Sequence, residues 1–140
     1  MTSNQKPSKQ PPYINTNNPT NIFYNIQKEL PAKLMMVGEG PEKEAAELLV
    51  EELGISDRVI FFGNSNEIDR ILCFSDLFLL PSQTESFGLA ALEAMASKVA
   101  IISSNAGGLP EINNHGKTGY LTNANDIESM SNYAISVLEN

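Results

Sequence analysis

The sequence predicts an α/β fold built on a doubly wound, mostly parallel sheet. Short apolar runs recur along the chain, amphipathic stretches of helical period separate them, and the junctions carry Gly, Pro, Asn or Ser. Apolar runs without strict alternation mark strands covered on both faces, which is the condition of a parallel sheet flanked by helices.

Taken in order, residues 1–21 are rich in Asn, Pro, Ser, Thr and Gln and carry no acid, so they read as a disordered polar segment. The globular part is expected over residues 22–140. Residues 22–30 place apolar side chains at helical spacing and stop at Pro31. Leu34, Met35, Met36 and Val37 form an apolar run ending in Gly38, a buried strand. Residues 42–53 read as a helix with Ala45, Leu48, Leu49 and Leu53 as its apolar stripe and Gly54 as its C-terminal cap. A strand over 59–62, a short helix over 68–74 and a strand over 77–80 follow. A helix over 87–96, a strand over 99–103 and a closing helix over 127–138 complete the pattern.

Composition narrows the function classes. Seventeen acidic residues against nine basic ones leave a net charge of -8, and no basic cluster offers a path for nucleic acid. No apolar run approaches the roughly 20 residues that span a bilayer. A cytoplasmic setting is expected, since Cys73 is the single cysteine and cannot form an internal disulfide. Cys73 itself reads as a small buried hydrophobe. His115 is the one histidine and reads as structural, with no metal site around it. The acids Glu42, Glu44, Glu47, Glu51 and Glu52 read as a solvated helix face.

In doubly wound sheets ligands sit at the carboxyl ends of strands, which directs attention to the loops at 38–41, 63–66, 81–88 and 104–110. The third of these leads into a helix. Glu85 stands before that helix and Glu93 two turns inside it, on one side. The Ser86, Phe87 and Gly88 amides would be free at its N-terminus, where a diphosphate gains charge-assisted hydrogen bonds and the favourable end of the helix dipole. A plainer reading makes Glu85 a helix-start acid and Glu93 a solvated helix residue. Against it, Glu93 interrupts the apolar stretch Leu89-Ala90-Ala91-Leu92-Glu93-Ala94-Met95-Ala96, where an unpaired buried carboxylate is costly. Spacing alone leaves both readings open.

The motifs go further. Pro81-Ser82-x-x-Glu85-Ser86-Phe87-Gly88-Leu89-x-x-Leu92-Glu93-Ala94-Met95-Ala96 resembles the E-x7-E signature of family 4 retaining glycosyltransferases. Val37-Gly38-Glu39-Gly40-Pro41-Glu42 resembles that family's glycine loop. Gly107-Gly108-Leu109-Pro110-Glu111 and His115-Gly116-x-Thr118-Gly119-Tyr120-Leu121 resemble two further segments, and all four occur in the family's order. The run from Ile101 through Glu111 is most similar to the bacillithiol-type subfamily that moves N-acetylglucosamine to L-malate.

The resemblance implies a GT-B architecture of two Rossmann-like domains, this chain matching the C-terminal, donor-binding one. It implies a UDP-sugar donor, UDP-N-acetylglucosamine, retaining transfer to a small-molecule acceptor, and no cofactor or essential metal. Glu85, at the catalytic centre, would contact the donor sugar's hydroxyls, and the Ser86, Phe87 and Gly88 backbone its diphosphate. Glu93 would hold the ribose, Gly38 would admit the phosphates, and Gly63 and Asn64 would line the base.

Departures from the family pattern matter as much. Its donor domain begins with a further strand and a loop bearing an Arg and a Lys; here that position holds the polar segment, in which Lys6 and Lys9 match nothing. The sheet is therefore expected to be incomplete, lacking an edge strand, and the acceptor domain is not represented. Losing two cations removes contacts worth about 1.5–3 kcal/mol each where the leaving group gains charge, so the chain alone is expected not to catalyse transfer. The alternative is a non-catalytic module that associates with an acceptor domain or a full-length enzyme.

Overall fold

The computed structural model describes residues 18–37, 42–63, 68–81 and 89–139. Most of the polar N-terminal segment, and with it the disorder expected there, lies outside the described residues.

The first helix, α1 (Asn18–Glu29), starts four residues earlier than the apolar spacing indicates. Pro19 belongs to its first turn, where a missing N–H leaves nothing unsatisfied. Thr20, the next residue, is fully buried with its hydroxyl 4.0 Å from the Met36 sulfur. The boundary expected at residue 21 thus falls inside a helix, because Asn, Pro and Thr suit a helix start as well as a loop.

β1 (Leu34–Val37), α2 (Glu42–Leu53) and β2 (Val59–Gly63) form one βαβ unit, with a 3-10 turn at Ser56–Arg58 before the second strand. Gly54 ends α2 with φ +73°; its N–H donates to the Glu51 carbonyl and the Ile55 N–H to that of Val50, the two bonds of a Schellman cap. The buried stripe of α2 runs through Ala46 and Val50, not through Ala45 and Leu48, which are exposed. Val50 meets Phe23, Ile55 and Val59, and that contact sets the helix rotation and leaves Leu48 outside.

After α3 (Ile68–Cys73), the chain forms β3 (Leu77–Leu80), α4 (Leu89–Ala96), β4 (Ala100–Ser104), α5 (Leu109–Ile112), β5 (Gly119–Thr122) and α6 (Ile127–Glu139). Leu72 of α3 is buried, so Cys73, one residue round the helix, is exposed and not the buried hydrophobe expected. α5 and β5 were not evident in the apolar pattern.

The parallel, doubly wound character of the fold holds, but the strands lie in two sheets, β1-β2 and β3-β4-β5. Among the described residues no strand joins the two sheets. Helices α1 and α2 cover one face of the β1-β2 sheet; α1 and α6 cover one face of the β3-β4-β5 sheet, and α3, α4 and α5 its other face. Ile101 of β4 packs with Leu72, Ala91, Ala94 and Leu109 on the α4 side. Ile102, the next residue, packs with Ile22, Ile26, Met130 and Ala134 on the α6 side. Each fully buried side chain of this kind contributes on the order of 1.5–3 kcal/mol. α1 serves two cores: Ile22 and Ile26 join the cluster over β3 and β4, while Phe23 joins the cluster over β1 and β2.

Candidate functional site

The carboxyl ends of the strands mark where a ligand would sit. Of the residues expected there, Gly38, Asn64, Glu85, Ser86, Phe87 and Gly88 lie outside the described residues. Gly63 and Glu93 are described. Gly63 closes β2 opposite Val37, and the register skips Phe62, giving a bulge at the carboxyl end of the pair. A bulge re-aims the chain as it leaves the strand. Gly63 belongs to the β1-β2 sheet, Glu93 to the helix between β3 and β4.

Glu93 is exposed. Ala91 and Ala94 take the buried side of α4, leaving Leu92 and Glu93 outward. The cost of a carboxylate in an apolar helix therefore does not arise, and that part of the case for Glu93 falls.

β4 and β5 are tied together by a buried polar network that the motifs did not single out. The Asn113 side chain is fully buried. Its Nδ2 donates to the Ser103 hydroxyl at 2.9 Å and the Tyr120 carbonyl at 3.1 Å, with the Ile101 carbonyl at 3.4 Å. Its Oδ1 accepts from the Thr118 hydroxyl at 2.7 Å, and that hydroxyl accepts from the Asn114 N–H at 2.7 Å. One carboxamide thus ties β4, β5 and the turn between α5 and β5 together, and a buried amide so satisfied specifies a single arrangement. The only signal in the sequence is an Asn directly after the short Leu109-Pro110-Glu111-Ile112 segment.

His115 is structural, as expected. Its Nδ1 accepts from the Leu121 N–H at 3.0 Å, and its ring stands edge-on to Tyr120 and Tyr133, which stack on each other at 4.4 Å. A polar depression of 310 Å³ opens at the carboxyl ends of β4 and β5, between Asn105, Thr122, Asn123 and Asp126. Asp126 is engaged there, capping α6 through the Ser129 N–H at 3.1 Å. A larger groove of 420 Å³ runs between α1 and α6, away from the strand ends.

Parallel βαβ units with helices on both faces define a Rossmann-like α/β domain. Its fold is that of the GT-B glycosyltransferases. The chain belongs to the glycosyl transferases group 1 family, whose model matches residues 20–140. It is 45% identical over 117 residues to N-acetyl-alpha-D-glucosaminyl L-malate synthase of Bacillus anthracis, a match covering 84% of this chain and 31% of that protein. It is 33% identical over 125 residues to 2-deoxystreptamine N-acetyl-D-glucosaminyltransferase of Niallia circulans, covering 84% and 32%. The chain thus spans about a third of the length of the curated relatives it matches.

Among solved structures, the C-terminal domain of a glycosyl transferase group 1 family protein from Francisella tularensis superposes with a TM-score of 0.74 at 29% identity, covering 89% of this chain and 70% of that one. Anabaena HepE in complex with UDP superposes at 0.77 with 24% identity, covering 94% and 37%, a likeness of fold. No helix among the described residues is long and apolar enough to cross a membrane.

Proposed function

We propose that this chain is a donor-binding glycosyltransferase domain that takes UDP-N-acetylglucosamine for retaining transfer to a small hydroxy acid such as L-malate. The observation that carries the reading is the 45% identity to the Bacillus anthracis malate synthase. Family membership over residues 20–140 and a UDP complex among proteins of the same fold support it.

In this reading the Ser86, Phe87 and Gly88 amides hold the diphosphate, Glu85 the sugar hydroxyls and Glu93 the ribose. Gly38, Gly63 and Asn64 line the phosphates and base. Charge on the departing diphosphate is stabilised by backbone dipoles at a helix start, with no metal. The acceptor binds residues beyond this domain, so the isolated chain binds donor and does not turn over.

Calorimetric titration of the 140-residue chain with UDP and UDP-N-acetylglucosamine tests this. Glu93→Ala should weaken binding about tenfold, the loss of one charge-assisted hydrogen-bond pair. Absence of heat, or equal affinity in the variant, would overturn the site. Turnover with malate by the chain alone would overturn its inactivity. The reading of the chain as a module docking on a full-length enzyme draws support from the division of the described strands into two sheets.

A further inference from the structure

The polar depression of 310 Å³ at the ends of β4 and β5 is built from residues that the proposed donor site does not use. Its volume is at the lower end of those that hold small ligands. Asn105, Thr122, Asn123, Asp126, Ser129 and Tyr133 line it, bringing amide, hydroxyl, carboxylate and phenol groups from two strand ends and α6 to one place.

Several of these groups are fixed in position. Asn105 Nδ2 donates to Asn123 Oδ1 at 3.1 Å, which joins the residue after β4 to the residue after β5. The pair keeps an acceptor on Asn105 and a donor on Asn123. The Asn123 carbonyl accepts from the Thr122 hydroxyl at 2.9 Å and from the Asp126 N–H at 3.1 Å, which sets the turn into α6. Asp126 gives one carboxylate oxygen to the Ser129 N–H at 3.1 Å and has a second oxygen with which to accept. The Tyr133 ring stacks on Tyr120 at 4.4 Å, and His115 stands edge-on to both, so the three-ring cluster holds the aromatic part of the lining still. Groups held this way lose little freedom when a ligand arrives, a condition for retaining a small polar molecule.

Charge selects the ligand class. Asp126 brings a negative charge to the lining, and no lysine or arginine joins it among the described residues. Phosphates and carboxylates are repelled, the hydroxy acid of the proposed reaction included. No group of three or more His, Cys, Asp or Glu among the described residues could hold a metal ion. A neutral molecule with several hydroxyls fits what is present. Amides and a carboxylate meet neighbouring hydroxyls as paired donors and acceptors, and a tyrosine offers an apolar ring with a polar tip.

We propose that the depression between β4, β5 and α6 binds a neutral sugar, at a site separate from that of the nucleotide. The two sites stand or fall independently.

The probe is methyl α-glucoside, followed by residue-resolved NMR of the full 140-residue chain. Saturable shifts are expected at residues 105, 122–123 and 126–133, unaltered by excess UDP. Methyl glucuronide, which adds a carboxylate, should bind about fivefold more weakly. Asp126→Asn keeps a side chain able to cap α6 and should bring the two ligands within about twofold of each other. Asn105→Ala, an exposed change that should leave the melting temperature where it is, should weaken glucoside binding about fivefold. No saturable shift, shifts confined to residues 89–96, or displacement of the glucoside by UDP would overturn the separate sugar site. Undiminished binding by Asn105→Ala, or equal affinity of the unaltered chain for the glucuronide, would overturn it too. Calcium chloride shifting the same amides where the glucoside does not would assign the depression to a cation instead.

Discussion

The β1-β2 sheet and the β3-β4-β5 sheet are built from the same βαβ unit, yet they bury very different amounts of themselves. Four consecutive residues of β4, Ile101 to Ser104, are wholly inaccessible because helices cover both faces and strands flank both edges. In β2, Val59 is buried under α2 while Ile60 and Phe62, pointing the other way, are 45% and 43% exposed. The lesson is that a parallel pair is only as stable as its second cover. An apolar run such as Val59-Ile60-Phe61-Phe62 fits a strand sealed on both faces, and here one face is open.

The strongest way to break that comparison is a matched truncation. Ile102→Ala should cost about 2–5 kcal/mol, because the residue is enclosed by α1 and α6 and leaves a cavity. Ile60→Ala should cost less than about 1 kcal/mol, since its side chain is already half in water. Urea unfolding measures both, and equal costs would mean the two sheets do not differ in the way their burial indicates.

Gly119→Ala comes next, at about 3 kcal/mol. A Cβ there would overlap the Ile101 backbone, which cannot yield as a flexible side chain would. The unfolding midpoint should drop sharply, and an unchanged midpoint would dismiss the tight β4-β5 register. The smallest effect concerns helix ends. α4 closes with the same pair of bonds as α2, Lys98 N–H to Met95 and Val99 N–H to Ala94, but with a lysine at φ +62° where α2 has Gly54. Lys98→Gly should gain about 0.5–1 kcal/mol, and Gly54→Ala should lose about 1 kcal/mol. Thermal melts resolve the two signs; the same sign for both would refute the parallel between the caps.

Much of the fold was legible in the sequence. Leu34-Met35-Met36-Val37 and Leu77-Phe78-Leu79-Leu80 could only be strands once Gly, Pro and Asp were seen beside them, and the helix over Glu42–Leu53 was marked at its end by Gly54. β5 escaped because it opens on a glycine, which weakens a strand in general and is required here by the Ile101 backbone. The exposed Cys73 and the rotated stripe of α2 depend on which neighbour each helix meets, and periodicity is silent on that. The division of the described strands into two sheets depends on strand order, which no local pattern encodes. The family was legible in its motifs. For Glu93 the sequence pointed to the right helix and to a mistaken reason, since its flanking alanines, not the carboxylate, face the core.

The placement of α1 has a consequence for how the molecule comes together. Each half is assembled from contacts between near neighbours along the chain, and such pieces can form early and separately. The twelve residues of α1 draw on both cores at once through Ile22, Ile26 and Phe23, so this helix cannot settle until each half is in place. It acts as a latch between two prefabricated parts.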